Sequence, residues 1–510
     1  MIPVNSWLDL MIALALGLPL LAAGWTGLGM LLDWNRGETG EAETALAATL
    51  SASLSVLLLG MAGLYSLFVD TPGTRTWFVW LASGDKVLTF SLLLDGLSLS
   101  LGFVLNLIIL LVIRFSVNYL HREPAFQRFF LLMGLFQTAM LLIILSGNLL
   151  VAFIGWELAG LCSFLLIAYD RERDTATANA TYAFLSNRIG DAGFLIALYT
   201  ALAFLGTAQW EPLFLRAQNE PSLVPGIVLL GLIGAAWVKS AQFPFCGWIT
   251  RAIEGPTPSS AVFYSAVMVH AGVYLMLRAA PLLEQVPLIN GLLLLAGGLT
   301  LVYAWLCAQV QTDIKSSLIH ATLMQVALMM LWIGLGWYRL AAIHLALHAC
   351  WRAYQFLHAP AFMQLVQGAA PAAAPWLQHH PGLYRAALLR FWLDPLAEWF
   401  LIQPTRKLAR EAELFEEQVV ERVVGIPALE HGDPRQLSDA GIGSGLGGRL
   451  MQSLASLFAL FEDKLVLNNG GTGLSGLIDT VGRRFEQIET FLSQPRYLVL
   501  MVAITLVIIL

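Results

Sequence analysis

The stretch Ala236-Trp237-Val238-Lys239-Ser240-Ala241-Gln242-Phe243-Pro244-Phe245 places one lysine inside an otherwise apolar segment. Pro244 follows Lys239 by five residues and predicts a helix break, since proline lacks a backbone N–H and clashes with the preceding turn. A charged side chain at membrane depth costs roughly 3 kcal/mol or more, so it indicates a functional site. Desolvation also disfavours the charged form of a lysine, which makes proton release easier. The stretch therefore predicts a broken membrane helix with Lys239 as a candidate proton carrier.

The composition of the whole chain indicates a membrane protein. Of its 510 residues, 58% are hydrophobic and only 12% are charged, a balance that excludes an ordinary soluble domain. The net charge is -6 and no basic run is present, so nucleic-acid binding is not expected. The first apolar run, near residues 8–32, lacks a basic leader and a cleavage site. It is therefore expected to be a retained span rather than a signal peptide.

Eleven apolar segments precede residue 365, each of about the 20 residues that a helix needs to cross a bilayer. They lie near residues 7–32, 45–69, 91–114, 127–146, 148–169, 181–206, 224–248, 259–280, 285–308, 317–336 and 338–362. Only helices and closed barrels satisfy their backbone in lipid, and no stretch alternates like a barrel strand. The predicted fold is therefore an all-α polytopic membrane bundle. A second helix interruption is expected around residues 344–352, where polar side chains crowd one helix.

The composition changes after residue 367. An Ala/Pro-rich linker is followed by amphipathic segments, which suit the membrane surface or the flank of a neighbouring subunit. A Gly/Ser/Asp-rich loop separates the two amphipathic pieces, and a short apolar helix ends the chain. The expected parts are N-terminal transmembrane helices at 1–84, a core at 85–365, an amphipathic lateral and flexible region at 366–494, and an apolar helix at 495–510.

Charged residues in the apolar helices form one group of candidates. Glu157 lies in an otherwise apolar helix, so it needs a proton or a cation, and Lys239 is the expected partner. Such a pair works as a switch if it opens and the lysine then releases its proton; the alternative is a static structural ion pair. Arg188 and Asp191 are three residues apart and share a helix face. Asp191 is expected to tune the pair, with an interfacial salt bridge as the alternative.

Histidines form a second group of candidates. His344, His348 and Arg352 are spaced by four residues and project from one helix face. Two histidines with this spacing bind zinc in some enzymes, but the acidic residue of the usual HExxH motif is absent, so a proton relay is the favoured interpretation. Further candidates for the same path are His270, His320 and Lys315, the last of which is equally expected to be an interfacial anchor.

The sequence contains no pattern for a metal, a cofactor or a catalytic site. Its four cysteines, Cys162, Cys246, Cys307 and Cys350, are far apart in or beside apolar segments and are expected to be small buried hydrophobes. It has no dinucleotide-binding glycine pattern, phosphate-binding loop or Ser/His/Asp array. We expect no resident metal, no cofactor and no chemistry of its own.

Several of these motifs together resemble the antiporter-like subunits of respiratory complex I. The likeness is closest to the distal, largest subunit, which is kin to Mrp-type cation/proton antiporters, and it covers about residues 85–365. The matching runs are Asn148 to Ser163, Asn187 to Phe194, Lys239 to Pro244, Glu254 to Ser260, His344 to Arg352, Asp95 to Ser98 and Asp313 to Lys315.

The resemblance implies two inverted five-helix repeats, broken helices at the membrane midplane, and a C-terminal amphipathic lateral helix. It implies that Glu157 and Lys239 are the coupling pair and that Asp191 modulates it. It also implies that His344 and His348 connect the pair to the second half-channel.

Two departures from the family pattern concern the output half of the path. Arg352 stands where the family usually has a lysine, and an arginine does not deprotonate in proteins. Tyr264 stands where the family usually has a histidine, although His270 follows six residues later. Arg352 is therefore expected to be a fixed electrostatic gate rather than a carrier.

The expected function is that of a proton-translocating subunit in a complex I-like or Mrp-like assembly, where it would count as part of a translocase. One alternative is the gradient-coupled membrane subunit of a two-component inorganic-carbon uptake complex with a carbonic-anhydrase-like partner. Another is a non-conducting membrane scaffold. Expected partners are other membrane subunits or a soluble subunit, the lipid bilayer, and protons, with sodium as the other candidate ion. A multi-pass location in a bacterial inner membrane is expected.

Overall fold

A computed structural model describes residues 7–69, 73–83, 86–266, 268–359 and 374–415. The chain divides into two compact units, 1–405 and 406–510, and the described residues of the second are 406–415. The predicted flexible loop, the second amphipathic piece and the C-terminal apolar helix lie outside the described residues.

The described chain is helical apart from one β-hairpin. Its first elements are α1 Trp7–Leu31, α2 Gly37–Val69, β1 Gly73–Ser83, β2 Lys86–Leu94, α3 Gly96–Tyr119, α4 Phe126–Leu145, α5 Leu149–Ile167, α6 Asp174–Thr200, α7 Trp210–Ala217 and α8 Leu223–Lys239. The later ones are α9 Gly247–Arg251, α10 Thr257–Ala261, α11 Ala271–Arg278, α12 Ala280–Gln285, α13 Pro287–Ala308, α14 Ile314–Gly334, α15 Tyr338–His358, α16 Pro375–Gln378, α17 Pro381–Leu388, α18 Leu393–Ala397 and α19 Gln403–Phe415.

The predicted membrane bundle is confirmed. Among the described residues, eight helices are long and apolar enough to cross a membrane: α1 to α6, α13 and α14. The apolar helix α8 is shorter, and the predicted span at 259–280 is divided between α10 and α11. The last predicted span corresponds to α15, whose polar residues lower its hydropathy. The protein is therefore a multi-pass membrane protein.

The β-hairpin was not predicted, and the expected span at 91–114 begins within its second strand. Strands β1 and β2 pair antiparallel, with Phe78 opposite Phe90 and their rings stacked 5.2 Å apart. The backbone N–H of Gly147 donates to Ser91 O at 2.8 Å, and Asn148 Nδ2 donates to Thr89 O at 2.7 Å. Asn148 also caps α5, so the hairpin fixes the start of the helix that carries Glu157.

The helix break at Pro244 is confirmed, and it begins earlier than the proline itself. Helix α8 ends at Lys239, and Ala241 has a left-handed φ of 50°. Side chains take up the backbone groups that the break releases: Trp248 Nε1 donates to Val238 O at 2.8 Å, and the N–H of Phe243 donates to Thr300 Oγ1 at 2.8 Å. These bonds replace missing helical ones in a place where water is scarce.

The second interruption was predicted in the wrong helix. Helix α15 runs unbroken through His344 to Arg352, because neighbouring side chains satisfy its polar residues and it contains neither proline nor glycine. The interruption lies instead between α10 and α11, where Val262–Ala266 forms a π-helical turn and His270 precedes α11. Such π turns often mark functional sites.

Glycines bring the site-bearing helices close together. A Cβ on Gly231 of α8 would collide with the carbonyl oxygen of Gly193 on α6. A Cβ on Gly272 of α11 would collide with Ser240 Oγ and Ala236 O at the end of α8. Small residues allow this close backbone approach between membrane helices. The end of α8 is therefore held directly between α6 and α11.

Candidate functional site

Lys239 is the last residue of α8 and is only 1% exposed. Its Nζ donates to the backbone oxygen of Trp156 at 3.3 Å and lies 5.0 Å from the centroid of the Trp156 ring. An ammonium facing an indole ring gains cation–π attraction, which is strongest where water is excluded. Trp156 therefore stabilises the charged form of Lys239 from α5.

The expected direct pair between Glu157 and Lys239 is not present. Glu157 Oε2 instead accepts a hydrogen bond from Arg188 Nη1, and the two side chains are about one-third exposed, at 29% and 32%. The physical reason is direction: Trp156 and Glu157 are consecutive and point to different sides of α5. Trp156 faces Lys239, whereas Glu157 reaches the more accessible guanidinium on α6.

Asp191 contacts both Trp156 and Arg188. Its Oδ1 accepts a hydrogen bond from Trp156 Nε1 at 2.8 Å, and its Oδ2 lies 2.8 Å from Arg188 Nη2. The second contact is an ion pair without hydrogen-bond geometry. Asp191 is only 4% exposed. Asp191 thus contacts both the tryptophan that faces Lys239 and the arginine that pairs with Glu157.

Gly160 marks the meeting point of the two cations. A Cβ on this glycine would lie 3.1 Å from Arg188 Nη2 and 3.5 Å from Lys239 Nζ. Two cations and two carboxylates therefore share one site, which we call the charge cluster: Glu157, Arg188, Asp191 and Lys239. Its formal charges cancel, so it can lie largely buried without one uncompensated charge.

A second polar group lies across the break. His270 Nε2 and His348 Nδ1 are 3.0 Å apart, and Arg352 Nε donates to His348 Nε2 at a long 3.4 Å. Because His348 Nε2 accepts, a neutral His348 carries its proton on Nδ1 and donates it to His270 Nε2. His270 then carries its proton on Nδ1, which has no hydrogen-bond partner in the described part of the chain. His270, directly before α11, was predicted as a candidate for the same path but not as the direct partner of His348.

His344 shares a helix face with His348 as predicted, but its hydrogen bonds go to another helix. The two rings meet edge to face at 6.1 Å. His344 Nε2 lies 2.9 Å from Gln325 Oε1, and its Nδ1 accepts from Trp332 Nε1 at 3.2 Å. Both partners are on α14, so His344 is tied to α14 rather than bonded to His348.

The remaining predicted residues occupy separate places. His320 is 0% exposed, with Nδ1 2.8 Å from Ser316 O and Nε2 without a partner in the described ranges. Lys315 Nζ donates to Thr257 Oγ1 at 2.7 Å, beside the turn before α10. Tyr264 donates to Ile249 O at 2.6 Å and stacks on Phe356. Tyr264, at the position where the resembled family usually has a histidine, is therefore bonded to α9.

Two residues of the charge cluster region were underestimated from the sequence. Trp156 contributes its carbonyl oxygen, indole N–H and ring to Lys239 and Asp191. Arg188, expected only as a partner of Asp191, is also the cation on Glu157. An indicator for both was available, because a tryptophan and an arginine in membrane helices require polar partners.

The cysteines are only partly as expected. Cys162, Cys246 and Cys307 are buried, whereas Cys350 is exposed on α15. In the described ranges, no three His, Cys, Asp or Glu side chains are grouped closely enough to hold a metal ion.

Comparisons with known proteins identify relatives of this core. Residues 146–369 match the family described as NADH:quinone oxidoreductase/Mrp antiporter, transmembrane, and residues 80–130 match the N-terminus of complex I chain 5. NADH-quinone oxidoreductase subunit L of Campylobacter jejuni is 36% identical over 311 residues, covering 60% of this chain and 51% of the relative. The Pseudomonas aeruginosa subunit L is 37% identical over 336 residues, covering 64% and 54%. The chain thus spans about half the length of these curated relatives.

Two solved structures share the fold. The Mrp complex from Dietzia sp. DQ12-45-1b contains a chain with a TM-score of 0.60 and 22% identity, covering 99% of this chain and 62% of that one. A chain of the archaeal membrane-bound sulfane sulfur reductase has a TM-score of 0.56 and 21% identity, covering 68% and 70%. At these identities the likeness concerns the fold alone.

Proposed function

The chain belongs to the family of antiporter-like membrane subunits that complex I and Mrp-type antiporters share, and from that membership we propose that it carries protons across a membrane as one subunit of a larger assembly. The observation that carries the proposal is the setting of Lys239. The buried ammonium of Lys239 lies at the end of a broken helix. The ring of Trp156 and the charge cluster, whose formal charges sum to zero, lie around it. A lysine with no functional role would seldom be retained at that cost.

Lys239 and Arg188 compete for the two carboxylates of the charge cluster. While Asp191 and Glu157 attract it, its ammonium is stabilised; when Arg188 takes both carboxylates, the nearby guanidinium and the lack of water favour the neutral amine. Arg188 contacts both carboxylates in the structure. We therefore propose that movement of Arg188, rather than opening of a Glu157–Lys239 pair, controls when Lys239 releases its proton.

The break joins the charge cluster to the histidines. Ser240, next to Lys239, donates to the backbone oxygen of Val269 at 2.7 Å, so the residue before His270 is fastened to the residue after Lys239. His270 Nε2 in turn lies 3.0 Å from His348 Nδ1. We propose that a proton leaving Lys239 enters this pair. His344 and His320 are the candidates for its further transfer. We propose that Lys315 is an anchor, because its ammonium donates to Thr257.

Arg352 sets the expected pH behaviour of this pair. Its guanidinium donates to His348 and stays charged at every physiological pH, which disfavours a second positive charge on the histidine. Arg352→Lys replaces it with a cation that can lose its proton. We expect the midpoint of the pH dependence of proton flux to shift by about one pH unit. Flux against pH in proteoliposomes measures this, and an identical profile would reduce Arg352 to a structural counter-ion.

The function itself is tested by reconstituting the chain, alone and with its co-purifying subunits, into liposomes under an imposed membrane potential. We expect acidification of the lumen, followed with an enclosed pH dye, at about tenfold the rate of protein-free liposomes or more. Sodium gradients of either direction should leave that rate unchanged if protons are the carried ion. Failure of every preparation to conduct would favour the scaffold function instead. Mass spectrometry of the same preparation distinguishes a redox assembly from a zinc-containing carbonic-anhydrase-like partner.

A further inference from the structure

The segment after α17 contains the most strained backbone of the described chain. Arg390, Phe391 and Trp392 have φ values of 52°, 54° and 55°, three successive left-handed residues of which none is glycine. Each of these residues alone is unfavourable in this conformation, since its Cβ crowds the following carbonyl. Such a turn persists only where surrounding contacts determine it, and strain of this kind is concentrated at functional sites. Its contacts therefore indicate what the turn is for.

Those contacts lie on the short arm of the broken helix, α9. Arg390 Nη1 donates to Thr250 Oγ1 at 2.8 Å and lies 3.2 Å from Asp394 Oδ2. A Cβ on Gly247 would collide with Asp394 Oδ1 and would lie 2.7 Å from the Tyr182 hydroxyl, so both groups close over this glycine. Arg390 thus bonds to Thr250 near the end of α9, and Asp394 packs against Gly247 at its start, without a hydrogen-bond partner for Oδ1 in the described residues. We call Arg390–Asp394 the C-terminal clamp.

A chain of contacts leads from the clamp to Lys239. Between the two clamped ends of α9 lies Trp248, whose Nε1 donates to the backbone oxygen of Val238, the residue before Lys239. A second line of contacts is aromatic: the ring of Phe391 lies 5.9 Å from that of Tyr303, which lies 6.1 Å from Phe243 in the break. The clamp therefore touches both sides of the interruption that ends at the buried ammonium.

We propose that Arg390 and Asp394 are positioning residues for Lys239, acting through α9 and Trp248, so that proton release depends on a segment of the chain beyond α15. The proposal rests on the proposed function of Lys239 but on a different set of residues. Within the described residues, the hydrogen bonds and ion pairs of Arg390 and Asp394 do not reach the charge cluster or the His270–His348 pair. While the clamp contacts α9, that helix is fixed and Trp248 donates to Val238 O. When these contacts are lost, the end of α8 is free to shift.

The buried Cys246, directly before α9, provides a readout that needs no proton flux. The test compares Arg390→Gln, Asp394→Asn and the exposed control Arg385→Gln in proteoliposomes. We expect the two clamp variants to raise maleimide labelling of Cys246 and hydrogen exchange over residues 236–251 by about tenfold or more, as local opening does. The exposed Cys350 serves as an internal labelling control and should not change. Proton flux should fall in parallel, and Arg390→Lys, which keeps a donor for Thr250, should recover part of it.

A further variant separates the turn from its contacts. Trp392 is 50% exposed, so Trp392→Gly relieves left-handed strain while leaving Arg390, Phe391 and Asp394 in place. We expect the rate of Cys246 labelling in Trp392→Gly to be no higher than in the unmodified chain. Unchanged labelling and exchange in both Arg390→Gln and Asp394→Asn would overturn the clamp. Increased labelling with normal flux would overturn its role in positioning Lys239. An unmodified protein that labels as expected yet conducts no protons would overturn the proposed function and leave the clamp standing.

Discussion

Replacing Lys239 with methionine is expected to reduce proton flux by about 100-fold, towards the level of protein-free liposomes, because a positioned acid–base group contributes roughly that factor or more. Methionine fills similar space without a charge, so the packing against Trp156 is largely kept. The remaining cluster of Glu157, Asp191 and Arg188 retains both of its ion pairs, which Arg188 makes. Because one negative charge then lacks its counter-charge, the Tm of the variant in detergent is measured beside its flux. Loss of flux in a variant that is still folded by this measure would report loss of the carrier.

The matched control for this variant is Lys407→Met, which removes an exposed lysine from α19. Flux is measured with a pH dye inside liposomes under the same imposed potential, with protein amounts equalised after reconstitution. Lys407→Met should conduct like the unmodified chain. A Lys239→Met protein that conducts within a factor of two of it would refute a role for Lys239 in transport.

Arg188→Gln is expected to produce the largest effect on stability. Removing this cation leaves Glu157 and Asp191 with Lys239 as their only counter-charge in the cluster, so one negative charge is uncompensated. Loss of one partner of a buried pair costs 3–5 kcal/mol, but Arg188 and Glu157 are about one-third exposed and solvent screens part of it. We expect a loss of about 2 kcal/mol and, since both carboxylates then hold the lysine charged, a roughly tenfold lower flux.

Two companion variants test that explanation through the Tm in detergent. Arg173→Gln removes the pair between the exposed Arg173, next to the start of the same helix, and the partly exposed Glu254, and should change stability by about 1 kcal/mol or less. Arg188→Gln combined with Glu157→Gln restores the charge balance and should regain a large part of the loss, as coupled residues do. Equal destabilisation in the single and double variants would mean that Arg188 acts by packing alone.

The sequence predicted those parts of the structure that depend on local composition. Long apolar segments identified the membrane bundle, because the length of a span follows from bilayer thickness. Pro244 located the first broken helix, because its lost N–H and its ring act on the chain next to it. The second break could not be found in this way, since the π turn before His270 depends on packing between α3, α15 and its own segment. The polar residues in α15 did not indicate a helix break, because side chains of other helices accept or donate their hydrogen bonds.

The pairing of charges was the least predictable feature. Glu157 and Lys239 were both identified, but which cation meets which carboxylate depends on the rotation of α5 and α6 about their axes. The close approach at Gly231 and Gly193 sets that rotation and brings Arg188 to Glu157. The hairpin was missed for a different reason: the end of β2 is as apolar as a membrane helix and was assigned to the span at 91–114, whereas the β-branched and aromatic residues of both strands favour a hairpin.

The most direct test of the central claim is the proton flux of Lys239→Arg, measured beside Lys239→Met and the unmodified chain under one imposed potential. Arginine keeps the positive charge next to Trp156 and Asp191 but does not release its proton. If Lys239 is a carrier, Lys239→Arg should conduct as poorly as Lys239→Met. If Lys239→Arg conducts like the unmodified chain while Lys239→Met does not, the lysine is a fixed charge and the proposed carrier mechanism is contradicted.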